Sequence, residues 1–198
     1  MDTEKSNLEL TERLKLVETM IAEGRRSTRQ WGWAFVLWGA AYLIATVWSA
    51  WAPGLAWPVT MSVAVLLCWA IASRVKRGHP DTGVGRAVGA VWIAMGSSVG
   101  LVMVCLSASG HYEPHVFVAI VGAMVGAAHA TSAMILKWKA QFCAALVWWV
   151  ACVAASFGSQ AVVGIAFLGA TFLGQIVFGI YAMILEARGR KPSGAAHA

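Results

Sequence analysis

Polar residues along this chain are confined to short punctuating stretches, and between them run apolar segments of 18 to 26 residues. They lie at 31–52, 55–74, 87–108, 116–136, 140–157 and 160–185. Each is long enough to cross a hydrocarbon core of ~30 Å as a helix, and no alternation of strand-like runs and polar turns competes with that reading. The pattern predicts an all-α polytopic membrane protein with six transmembrane helices. Short turns separate the spans. Pro53, Gly54 and Pro58 mark the first, Ser107 to Pro114 the third, Lys137-Trp138-Lys139 the fourth and Phe157-Gly158-Ser159 the fifth. The second connection, 74–86, carries Gly78, His79, Pro80 and Gly83.

Residues 1–30 have a different period. Leu10, Leu14, Val17 and Ile21 follow at spacings of four, three and four, which aligns them on one face of a helix whose other faces carry Glu, Lys and Arg. Ser6 and Glu9 fit a capping box at its start, in which each side chain satisfies a backbone N–H of the first turn. Gly24 is a candidate stop, unless Arg25, Arg26 and Arg29 carry the helix on to the first span. This stretch lacks the continuous apolar core of a signal peptide. Two uses of the stripe stand open: a helix lying on the inner surface of the lipid bilayer, or a face through which residues 7–23 pair with a homo-oligomer copy or a cytoplasmic protein. The expected organisation is a cytoplasmic amphipathic helix (1–30), a six-helix transmembrane bundle (31–187) and a disordered cytoplasmic tail (188–198).

Charge changes the picture by giving direction. The chain has fifteen Lys and Arg. Six precede the first span, four lie in the second connection, two in the fourth and three after the last span, leaving none in the other three loops. The positive-inside rule then predicts cytoplasmic N- and C-termini in the plasma (inner) membrane. It also accounts for the net charge of +6 without nucleic acid, because the basic residues border spans, where they meet anionic headgroups. Trp31, Trp33 and Trp138 fall at inner boundaries and Trp48, Trp51 and Trp57 at the outer one, as indoles prefer. Trp38, Trp92, Trp148 and Trp149 lie deeper and are expected to face other helices, since a buried indole N–H needs an acceptor.

Small residues suggest how the spans meet. Gly85/Gly89, Gly96/Gly100 and Gly122/Gly126 are GxxxG pairs, and Ala166, Ala170 and Gly174 continue the theme in the last span. Where lipid removes any hydrophobic drive between helices, such residues allow the close backbone approach that holds them together. Gly164, Gly169, Gly174 and Gly179 recur every five residues and so spiral around the last span, loosening it without building one interface. Ala133-Met134-Ile135-Leu136 and Ala182-Met183-Ile184-Leu185 suggest three successive helical hairpins, with His129 aligned on Phe178.

Candidate chemistry is sparse. No Asp, Glu, Lys or Arg falls inside the spans short of the terminal Arg74, which argues against an ion-coupled pump. His129 is the one histidine within a span. A neutral imidazole hydrogen-bonded to a neighbouring helix is one reading, and a sensing or solute-contacting group is the other. Gln175, Ser97 and Ser98 are further polar positions inside the spans. In the outer loop, His111, Glu113 and His115 supply three potential metal ligands within five residues. Cys68, Cys105, Cys143 and Cys152 form no CxxC pair and read as buried apolar side chains. No phosphate loop or nucleophile–base motif is present, and neither an enzyme nor a cofactor is expected. The expected function is association, as a sensor, scaffold or accessory subunit. The alternative is a channel or facilitator for a small solute, lined by His129, Gln175 and Ser97/Ser98.

Overall fold

A computed structural model describes residues 2–75 and 83–189, in which every regular element is helical. The helices are α1 (Asp2–Gln30), α2 (Gly32–Trp48), α3 (Pro53–Val75), α4 (Gly83–Ala108), α5 (Pro114–Leu136), α6 (Lys139–Phe157), α7 (Gln160–Thr171) and α8 (Phe178–Gly189). A π-helical segment, Phe172–Val177, joins α7 to α8 and makes them one long element. The fold is all-α and polytopic. Five elements (α3, α4, α5, α6 and the α7–α8 unit) are each long and apolar enough to span a membrane. A sixth span arises when α2 is taken with α1, from which it is bent by 40° at Trp31. The reason is length: the 17 residues of α2 rise ~26 Å, short of a ~30 Å core.

The turns follow the sequence closely, with one exception. Pro53 opens α3, at a position where its missing N–H costs nothing, but Pro58 lies inside that helix rather than in the turn. The chain reverses earlier, over residues 49–52, through backbone bonds such as Ala52 N to Trp48 O. Between α5 and α6, Lys137 takes a left-handed conformation (φ 48°), and the Trp138 N–H closes back on Ala133 O at 2.9 Å. At Gly158 and Ser159 the backbone is extended, which separates α6 from α7. The expected features at Gly78, His79 and Pro80, and the tail from Pro192 to Ala198, lie outside the described residues.

Sequential hairpins do pack: α2 on α3, α4 on α5, and α6 on α7. The centre is the α5–α6 pair, with the α7–α8 unit closing one side and bringing α2 with it. α3 lies against α2 alone at the backbone level, and α4 against α5 and α1. One apolar cluster gathers Phe117, Val121, Val125, Trp148, Ala151 and Phe167 towards one end of the bundle. A second gathers Phe35, Leu136, Trp138, Ala144, Phe178 and Ala182 towards the other. Trp57, expected at a membrane boundary, instead reaches the first cluster, with its ring 6.1 Å from both Phe117 and Phe167.

α1 departs from expectation in two ways. It starts before Ser6, which lies within the helix rather than at its first residue, and Glu9 pairs with Arg13 at 2.6 Å as an exposed i,i+4 ion pair. It also does not stop at Gly24. The helix runs through to Gln30 because Gly24 is a contact residue: a Cβ there would collide with Val84 and come within 3.0 Å of Leu136. With no Cβ at this position α1 lies close against both α4 and α5.

Candidate functional site

Two places concentrate side chains whose positions need explaining: the interior around His129, and the root of α1.

The interior is set by α5. Its Gly122 lies against the α6 backbone, where an added Cβ would sit 2.9 Å from Trp148 O and 3.0 Å from Cys152 N. Gly126, one turn later, lies under the indole of Trp149. This close approach commits one side of α5 to α6, and His129 turns towards α2, α4 and α8. There it is fully buried. Phe35 stacks on it at 5.5 Å, and Trp92 and Phe178 meet it edge-on at 4.8 and 5.3 Å. Phe35 also contacts both Trp92 and Phe178, so the three rings form a box around the imidazole. Aligned positions of the proposed hairpins, His129 and Phe178, therefore meet at the same depth.

Trp92 has the acceptor that a deep indole needs: its Nε1–H donates to Ser132 Oγ at 3.1 Å, one turn along from His129. His129 has none. Neither ring nitrogen has a hydrogen-bond partner, so the imidazole is held by aromatic contact rather than by the interhelical hydrogen bond expected for it. Gln141, Thr171, Gln175 and Trp148 are buried with unpaired polar atoms as well. Leaving such a group unpaired costs roughly 1–3 kcal/mol. Gln175 and Thr171 lie a turn apart around the π segment, and between them Gly174 packs on the Trp148 indole. A π turn accommodates one extra residue, which brings Thr171, Gly174, Gln175 and Phe178 all to the interior.

The expected path is not assembled. Ser97 is exposed and Ser98 half-buried on α4, which packs its backbone on α1 and α5, whereas Gln175 lies in the last element against α2 and α6. Two shallow apolar clefts open on the bundle surface. One, of about 220 Å³, lies between α4 and α5 and is lined by Val91, Met95, Met124 and Thr131; the other follows α6 at Leu146, Trp149 and Val153. Neither is lined by His129, Gln175, Ser97 or Ser98.

The loop between α4 and α5 uses its histidines differently from each other. Pro114 starts α5, Glu113 precedes it in extended backbone, and His115 Nε2–H donates to Gly158 O at 3.1 Å, tying this loop to the α6–α7 break. His111 is exposed, with its backbone N–H on Leu106 O. Among the described residues no three His, Cys, Asp or Glu side chains gather as a metal-binding group, so His111, Glu113 and His115 are not brought together as ligands. The four cysteines are free.

At the α1 root, Arg25 Nε–H donates to Leu136 O, the last helical carbonyl of α5, where a cation also meets the negative end of the helix dipole. Thr28 is buried with its hydroxyl on Gly24 O, and the Arg29 guanidinium lies 5.9 Å from the Trp138 ring centre. Neither Thr28 nor Arg29 stands out as a contact residue in the sequence pattern of the first span's approach. Yet Gly24 and Thr28 continue the 4-3-4 spacing of the stripe by three and four more residues.

Above the root, the stripe is bare. Leu10 is 55% exposed, Leu14 65% and Val17 50%, and nothing in the bundle covers them. The clamped root and the uncovered stripe belong to one continuous helix ~43 Å long. No family model, no curated protein and no solved structure matches this chain.

Proposed function

We propose that this chain is a multi-pass protein of the plasma membrane, with both termini in the cytoplasm, that acts by association as a sensor, scaffold or accessory subunit and carries out no catalysis. The observation behind the reading is the division of α1. Its last turns are anchored on α4, α5 and α8, and its distal turns present an apolar stripe that nothing in the bundle covers. An apolar stripe on a helix anchored in this way suits the capture of another helix. The Lys and Arg distribution supports the orientation, with α1, the Lys137-Trp138-Lys139 turn and the C-terminus on the positive side.

The test removes the stripe and keeps the root. A photo-crosslinker at Lys15 or Thr19 in intact cells should trap a protein on α1. Deleting residues 2–20 should abolish capture, measured with a probe at Glu23, while insertion, read by cysteine accessibility at the loops, stays as in the wild type. Undiminished capture by the deleted form would sink the reading.

A further inference from the structure

One face of α1 is small or apolar from Leu10 to Thr28, in the order Leu10, Leu14, Val17, Ile21, Gly24 and Thr28. These are alternate d and a positions of a heptad, beginning with Leu10 at d. The structure occupies only the lower end of this seam, where Gly24 and Thr28 are buried, Gly24 against Val84 and Leu136. The upper end is vacant, so its occupant is the question.

This chain does not supply it. Apart from Met1, the residues outside the described ones, 76–82 (KRGHPDT) and 190–198 (RKPSGAAHA), contain no Leu, Ile, Val, Met or aromatic residue with which to cover a row of leucines. A lipid surface fits poorly as well. Residues 2–23 carry six acidic side chains (Asp2, Glu4, Glu9, Glu12, Glu18, Glu23) against three basic ones (Lys5, Arg13, Lys15), a net charge of −3. Helices that lie on membranes are rich in Lys and Arg on the polar face, and the cytoplasmic leaflet is itself anionic.

We propose that the distal half of α1 pairs with the same helix of a second copy of this chain, forming a parallel two-stranded coiled coil on Leu10, Leu14, Val17 and Ile21. The inference rests on the association reading above and names its partner. Charge placement favours it. With this seam, Arg13 falls at g and Glu18 at e, and in a parallel pair each g residue faces the next e residue of the other strand. Arg13 therefore meets Glu18 of the partner subunit, and two-fold symmetry makes the contact twice. The Arg13–Glu9 pair within one helix lies beside the seam, at g and c, and leaves it open. Copies inserted in one membrane share an orientation, so their arms leave the same side in parallel. Confinement to the bilayer raises their effective concentration, which suits a seam of only two heptads.

The experiment uses the full chain in liposomes, with Cys68, Cys105, Cys143 and Cys152 replaced by Ala and single cysteines introduced along α1. Mild oxidation should join copies through Leu10→Cys, Leu14→Cys, Val17→Cys and Ile21→Cys, and not through Glu12→Cys, Lys15→Cys or Thr19→Cys. A flat profile, or no dimer at any position, overturns the proposal. Charge exchange then tests the register by dimer yield at Leu14→Cys. Arg13→Glu and Glu18→Arg should each lower it by roughly tenfold, since two symmetric attractions become repulsions. The double variant should restore it. Within each helix that double variant sets like charges beside Glu9 and beside Lys15, so recovery comes only across the seam; loss without recovery overturns the pairing. If purified copies fail to join while residues 2–20 are still required for capture in cells, the second copy is wrong and the association reading stands. If neither behaviour is seen, both fall.

Discussion

α4 and α5 are neighbours of similar length and apolar character, each with GxxxG pairs, yet 6% of the α4 span is buried against 61% of the α5 span. The glycines tell the difference. Gly122 and Gly126 of α5 have the α6 backbone and the Trp149 indole directly over them, while Gly89, Gly96 and Gly100 of α4 have nothing within 4 Å. A small-residue pair is thus permission for close approach and not an instruction. α5 uses it because the two-residue turn Lys137-Trp138 delivers α6 alongside, and because Ala128, Ala130 and Ala133 extend the small surface around the helix. α4 is met on one flank by α5 and at its start by α1, and Gly89, Gly96 and Gly100 face away from both.

The largest expected effect follows from that contrast. Gly122→Leu would drive a side chain into the Trp148 carbonyl and the Cys152 amide, which are backbone atoms and cannot swing aside. Overpacking of this kind should cost roughly 3 kcal/mol or more. Gly96→Leu and Gly100→Leu in α4 should be neutral, or stabilising by up to ~1 kcal/mol, because leucine is the better helix former. Reversible unfolding in mixed micelles measures both. If the α4 variants unfold as readily as Gly122→Leu, the contrast between the two helices is wrong.

A second contrast concerns polar residues. His129 on α5 is sealed among rings with no hydrogen-bond partner, and Ser97 on α4 is exposed. His129→Leu removes two unpaired polar atoms, a gain of roughly 1–3 kcal/mol, against a mismatch in shape of about 1 kcal/mol. The variant should be as stable as the wild type or more so. His129→Ala should instead lose roughly 2–4 kcal/mol, through the cavity left between Phe35, Trp92 and Phe178. Ser97→Leu should stay within about 0.5 kcal/mol of the wild type. Thermal inactivation midpoints in detergent rank the three. A His129→Leu protein clearly less stable than the wild type would mean that the imidazole has a partner after all.

These contrasts also locate what the sequence reveals. Helix ends were legible because Pro53, Pro114, Gly158 and the Lys137-Trp138-Lys139 turn act through local chemistry: a missing N–H, a break in regular backbone, a charge that stays at the interface. Burial was legible only through small residues: the stripes Gly122/Gly126/Ala130 and Ala119/Ala123/Ala127 mark α5 as central, and the structure buries it. A soluble helix shows its buried face by being polar on the other, but a span in lipid is apolar all round, so hydropathy does not separate α4 from α5, and Ser97 ranked beside His129. Gly24 was ambiguous for a related reason. Whether a glycine ends a helix or admits a neighbour depends on Val84 and Leu136, which are distant in sequence. Pattern did carry further at two points. The five-residue spacing of Gly164 to Gly179 falls on the span that contains the π segment, and the 4-3-4 stripe of α1 marks a face buried at Gly24 and Thr28 and exposed at Leu10, Leu14 and Val17.

The smallest effect tests how α4 is attached at all. Trp92 reaches from α4 into the box around His129, its edge on the imidazole and its N–H on Ser132 Oγ. Trp92→Phe keeps an aromatic ring in the box and removes the N–H. The expected loss is about 1 kcal/mol, with part of it due to the smaller ring. Ser132→Ala removes the acceptor instead and leaves a buried indole N–H unpaired, so it should cost at least as much. The informative measurement is the double variant, because a bond broken once cannot be broken again. Its loss should fall short of the sum of the single losses by ~0.5–1 kcal/mol. Simple additivity would mean that the hydrogen bond contributes nothing, and that α4 is held to α5 by ring packing and by the α1 root alone.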